Sequence, residues 1–160
     1  MQEIKLVFPG ICPVKKNTMG TSYYYKDKNG NKRLRMKNGI IIPLHFYSDK
    51  WKDFAKSAMI VCYNFKVKHP EITFPIEGKM NIKFLFYFND DRVRDIFNLY
   101  EGIPDILAGN SGIEIKSLPP SAYQIIADDN SRYIGSTDGS RCLLDFISPR
   151  TELYISDYKI

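Results

Sequence analysis

Lys79-Met80-Asn81-Ile82-Lys83-Phe84-Leu85-Phe86-Tyr87-Phe88 is the stretch whose reading decides the fold. Met80, Ile82, Phe84, Phe86 and Phe88 occupy every second position, while Lys79, Asn81 and Lys83 open the other phase. A period of two is a strand with one face in a core. Upstream, Trp51, Phe54, Ala55, Ala58, Met59, Cys62 and Phe65 recur at helical spacing. That spacing gives this helix one apolar face; Ser48 can cap it, and it ends before His69-Pro70. Shorter strands are expected over Lys5 to Phe8, stopped by Pro9-Gly10, and over Glu152 to Ser156. Residues 22–44 read as hairpin material, with Asn-Gly at 29–30 and 38–39; Asn29-Gly30 has the two-residue hairpin signature. Residues 131–147 read as strand material around the turn Thr137 to Ser140. A second helix is expected from near Asp95 to about Leu107, where Pro104 either kinks it or opens a new turn. Residues 109–123 read as a long loop and Ile125 to Ala127 as a short apolar run. Together these predict one α+β domain over 1–160, a mixed or antiparallel sheet with two main helices.

The chain has 160 residues, 44% of them hydrophobic, which excludes disorder as its main description. No apolar run is long enough to span a bilayer, and the start, Met1 to Lys5, lacks the zones of a signal peptide. Cys12, Cys62 and Cys142 are odd in number and widely spaced, which fits reduced thiols in a cytosol rather than a disulfide framework. His45 and His69 are the only histidines and read as a hairpin and a helix-end residue. The net charge is +5, and Lys26, Lys28, Lys32, Arg33, Arg35 and Lys37 sit together against Asp27 alone, just after Tyr23-Tyr24-Tyr25. Cations beside aromatics suit phosphates and unstacked bases; the competing reading is a solvated hairpin.

Against this basic background the acids gather. One set is Asp90, Asp91, Asp95, Glu101 and Asp105, the other Asp128-Asp129. Asp95 could simply cap a helix, Asn98, Glu101 and Asp105 could be a solvated helix face, and Asp128-Asp129-Asn130 could be a turn. Alternatively, acids from different segments make an oxygen-lined Mg²⁺ site, with Arg92 and Arg94 gripping a phosphate backbone.

The order of landmarks resembles the RusA-type Holliday junction resolvases. A loop Pro13-Val14-Lys15-Lys16-Asn17 follows the first strand; then come a helix, the long strand and Asp91-Arg92-Val93-Arg94-Asp95-Ile96-Phe97-Asn98-Leu99. Asp105-Ile106-Leu107, Asp128-Asp129 and a C-terminal strand complete it. The resemblance implies a homodimeric, cytoplasmic, bacterial or phage-encoded endodeoxyribonuclease of DNA recombination and repair. It would use Mg²⁺, with Mn²⁺ an alternative, and cut four-way or other branched DNA to leave 5′-phosphates. It implies that Asp95 and Asp129 are catalytic metal ligands, with Asp128 beside them and Asp105 matching a further family acid. The family motif, Asp-x-Asp-Asn with a lysine three residues on, is met by Asp95 and Asn98 but has Phe97 for its second acid and Glu101 for its lysine. Glu101 shares a helix face with Asn98 and is therefore expected to supply the missing carboxylate. Lys15, Lys16, Asn17, Lys32, Arg33, Arg35, Arg92 and Arg94 are the expected DNA contacts. The same departures also fit a branched-DNA binder without catalysis, and the Tyr-rich hairpin alone fits an unrelated α+β protein that binds RNA or protein.

Overall fold

The computed structural model describes residues 3–14, 19–42, 44–92, 94 and 96–159, with backbone alone for 19–21 and 44–46. The first strands are β1 (Ile4–Pro9), β2 (Met19–Ser22), β3 (Tyr24–Lys26), β4 (Lys32–Leu34), β5 (Met36–Lys37), β6 (Ile40–Ile41) and β7 (Leu44–Tyr47). The helix α1 (Asp49–Lys68) leads to β8 (Met80–Phe88). Three short helices follow, α2 (Ile96–Tyr100), α3 (Ile103–Leu107) and α4 (Pro120–Tyr123), then β9 (Ile134–Ser136), β10 (Arg141–Leu144) and β11 (Arg150–Asp157). The architecture is α+β in a single domain. No helix among the described residues is long and apolar enough to cross a membrane.

One mixed five-stranded sheet, ordered β1-β11-β8-β10 with β9 also on β8, carries the core. The alternation in β8 is the burial pattern itself: Met80, Ile82, Phe84, Phe86 and Phe88 are buried, joined by Ile4, Leu6 and Phe8 of β1 and Leu153 and Ile155 of β11. α1 covers that face. Ser48 caps it by accepting from the Trp51 backbone N–H at 3.3 Å, and Trp51, Phe54, Ala55, Ala58, Met59 and Cys62 are its buried stripe. Each large side chain of that stripe contributes about 1.5–3 kcal/mol by leaving water. Cys62 is core, its thiol pushed up to about 12 by burial.

The opposite face of the sheet is polar and tied together by Glu152, which is only 7% exposed. Its carboxylate accepts from the Tyr154 hydroxyl at 2.6 Å and pairs with Arg150 at 2.8 Å and Lys5 at 2.9 Å. The Tyr154 hydrogen bond, followed by those from Lys5 and Arg150, lowers the carboxyl to about 2 despite burial. A depressed acid stabilises the fold fully above its ordinary value and loses that contribution as pH falls towards the folded value. Wild type should therefore lose about 2 kcal/mol between roughly pH 4.5 and 2, a figure reduced because Lys5 is half in water. Glu152→Gln should lower stability at pH 7 and flatten this acid limb, as read by urea melts at several pH values. An unchanged acid limb would show that the network contributes nothing.

Two expectations need correction. The helix expected from Asp95 to Leu107 is two five-residue helices, so among the described residues α1 is the one long helix. Pro104 sits in the first turn of α3, where its missing N–H costs nothing, and the chain breaks at Gly102. Residues 131–147 form the expected strands on either side of the 137–140 turn, and β9 and β10 both run parallel to β8, on the flank not taken by β11. The Ser140 hydroxyl accepts the Phe84 N–H at 2.9 Å, and Asn81 Oδ1 accepts from the Ser136 hydroxyl and the Asp138 N–H, so the 137–140 turn is stitched to β8. Finally, the two-residue turn is Asn38-Gly39, with φ +50° and +77°, and not Asn29-Gly30. The Asp27 carboxylate accepts the N–H groups of Asn29 at 3.0 Å and Asn31 at 2.9 Å, which opens the first hairpin into a wider loop closed by Gly30 at φ +81°.

Candidate metal centre

The residue at the break, Gly102, is tightly packed. A Cβ there would lie 2.1 Å from Cη2 of Trp51, a ring that is fully buried. Gly102 lets α3 pass close over the indole, and this sets the direction of Asp105 in the first turn of α3. The C-terminal end of α3 then pins a second segment. The Leu107 carbonyl accepts from Ile125 at 2.8 Å and from Ile126 at 3.2 Å. On its other side this segment joins Ile76, which donates to the Ile125 carbonyl at 2.7 Å and accepts from Ala127 at 3.1 Å. Ile125 and Ile126 are fully buried, so Asp128 and Asp129 emerge beside α3 on a rigid base.

The two acids then diverge. The Asp128 carboxylate turns back on its own loop, accepting from the Asp129 N–H at 2.7 Å and from Asn130 Nδ2 at 2.6 Å. The Asp129 carboxyl instead meets that of Asp105. That contact, and then partial burial, raise Asp129 above the usual aspartate range, against a smaller opposing hydrogen bond with the Asp128 side chain. Two carboxylates in contact favour keeping one neutral or binding a cation between them. The donors are hard oxygens on two separate, well-anchored segments, which fits Mg²⁺ with waters filling its remaining positions.

Asp95, Lys15, Lys16 and Asn17, all expected site residues, lie outside the described residues. Glu101 is exposed in the turn between α2 and α3. No group of three or more His, Cys, Asp or Glu suited to a metal is present among the described residues, so Glu101 does not join Asp105 and Asp129 in one cluster. The expected shared face of Asn98, Glu101 and Asp105 assumed one continuous helix, and the break at Gly102 removes it. Asn98 is half-buried on α2, and Phe97 is 76% exposed, so the aromatic at that position serves no core.

Arg92 and Arg94 converge on Asp90, the first acid of the Asp90–Asp105 set. Arg92 Nη2 lies 2.7 Å and Arg94 Nη2 2.5 Å from its carboxylate, which they hold well below the usual range. Arg94 is also stacked 3.8 Å from the Phe88 ring centre, whereas the Arg92 side chain is 76% exposed. The Asp-x-Arg-x-Arg spacing of Asp90, Arg92 and Arg94 carried that signal. Lys32, Arg33 and Arg35 lie on and just after β4, exposed, with Arg33 Nε 3.0 Å from Asp27 and Lys32 Nζ 4.6 Å from the Tyr24 ring centre. Neither a protein-family model nor a curated protein matches the chain.

Proposed function

We propose that this chain is a divalent-metal-dependent endonuclease of branched DNA, RusA-like and acting as a homodimer. The observation that carries the reading is the meeting of Asp105 and Asp129 carboxyls from separate segments, in a contact that is unfavourable unless a proton or cation is shared. Asp105 and Asp129 hold the ion, Asp128 fixes the backbone of Asp129, and Asp95 is proposed as a further ligand. A bound Mg²⁺ supplies neutralisation of phosphate charge and a water acidic enough to attack near neutral pH. Arg92 holds a neighbouring phosphate, and Asp90 keeps that guanidinium in place. Two copies related by a two-fold axis would match the symmetry of a four-way junction.

The test is a synthetic end-labelled four-way junction incubated with the protein in Mg²⁺ or in chelator. The expected result is paired, Mg²⁺-dependent nicks in opposed strands, leaving linear duplex uncut. An uncut junction alongside a working control nuclease would reject the catalytic reading. A second reading, a branched-DNA binder without catalysis, is favoured by Glu101 standing apart from the acidic pair. It predicts junction binding that does not change when Mg²⁺ is added.

A further inference from the structure

None of residues 22–42 is buried, and only Ser22, Asp27, Leu34 and Ile42 are even partly covered. This segment is a branched arm: β2 pairs with β7 as its stem, and the hairpins β3–β4 and β5–β6 extend from it. Ordering 21 residues costs backbone entropy that no contribution to the core offsets, so the arm's worth to the protein lies at its surface. Its composition shows what that surface meets. Lys26, Lys28, Lys32, Arg33, Arg35 and Lys37 against Asp27 leave +5, which equals the formal net charge of the entire chain. The remainder of the protein is therefore balanced in formal charge, and the arm carries the whole net positive charge that attracts a polyanion.

From this we infer that the arm is a duplex-DNA ribbon, lying in the major groove and supplying the electrostatic part of binding. The inference deepens the nuclease reading by naming what holds the DNA, but the arm could bind DNA even if no cleavage occurs. Two strands about 4.8 Å apart with side chains on both sides fill a groove about 12 Å wide and are too broad for one of about 6 Å. The deep, narrow major groove of A-form RNA does not admit such a ribbon. Lys26 lies directly across from Lys32 in the register, a like-charge pair that disfavours the free hairpin and is relieved between phosphates. Arg33 and Tyr25 also face each other across the strands, placing a cation and a phenol together.

The experiment is fluorescence anisotropy of the full chain with a 20-base-pair DNA duplex, one of its single strands, and the same duplex in RNA, over a range of salt. The comparison variant carries Lys26→Gln, Lys28→Gln, Lys32→Gln, Arg33→Gln, Arg35→Gln and Lys37→Gln. Because none of these side chains is buried, thermal unfolding of the body should not move. A milder variant, Lys32→Gln with Lys37→Gln, guards against arm misfolding. Wild type should show a log–log salt slope of about −4.5 on DNA duplex, from five net charges at about 0.9 each. The sixfold variant should flatten it to near zero and weaken binding by about 100-fold or more; the double variant should reduce it by about two. DNA duplex should bind at least about tenfold tighter than either the single strand or RNA. The inference is overturned if the sixfold variant keeps its slope within one unit, if single strand or RNA binds as well as DNA duplex, or if the charge loss changes only self-association in sedimentation. Loss of nicking with arm binding intact would instead count against the catalytic reading.

Discussion

Asp129→Asn should reduce Mg²⁺-dependent nicking of a four-way junction by about 10³-fold or more, several kcal/mol of transition-state stabilisation, while junction affinity in chelator stays within about twofold. The same substitution should make the metal-free protein more stable at pH 7. The Asp129 carboxyl is raised by its contact with Asp105 and by burial, so the folded chain holds this proton more tightly than the unfolded one. The charged pair therefore weakens the fold above the folded value, and the penalty disappears as pH falls through it. Asparagine removes the penalty, so the variant should melt higher than wild type at pH 7 and approach it under acid conditions. Each kcal/mol should appear as about 2–4 °C in Tm for a chain of this size. Added Mg²⁺ should raise the Tm of wild type and leave that of Asp129→Asn nearly unmoved. A lower Tm in the metal-free variant, or full nicking, would show that the pair is an ordinary surface contact.

Gly102→Ala should be the most damaging single-methyl change in the chain. The new carbon would sit 2.1 Å from Cη2 and 2.5 Å from Cζ3 of a fully buried indole, and neither the ring nor α3 has room to yield. Overpacking of this kind costs about 1–3 kcal/mol, or several degrees in Tm. Because Gly102 also sets the path into α3, the displacement should move Asp105 away from Asp129 and weaken the Mg²⁺-induced Tm rise. Trp51→Phe in the same chain should recover part of the loss, since a smaller ring leaves space for the methyl group. Strictly additive effects of the two substitutions would mean that the close approach does not limit the fold.

The legible part of this protein is the part with a short period. The face of β8 and the stripe of α1 follow from spacing alone, because burial of one side of a strand or helix is a local rule. The Ser48 cap and the stop at His69 are equally local, each depending on neighbours within one turn. Asp105 and Asp129 could be named as candidates because acids stand out in a basic chain. Their carboxyl contact could not be read, since it depends on Leu107, Ile125 and Ile76 bonding across segments far apart in sequence. That Glu101 does not cluster with this pair has the same kind of cause. Helical phase projects it toward Asp105 only if the helix continues, and the chain instead breaks at Gly102, which packs on a tryptophan about fifty residues earlier.

By itself, then, the order of residues determined the strand that carries the core, the helix that covers it, and the concentration of positive charge between Lys26 and Lys37. Tertiary structure alone decided that β9 and β10 run parallel to β8, that Asp129 meets Asp105, and that residues 22–42 stand clear of the core. The division is physical. Periodicity and capping act over a few residues, whereas pairing, like-charge contact and exposure depend on what the rest of the chain brings alongside.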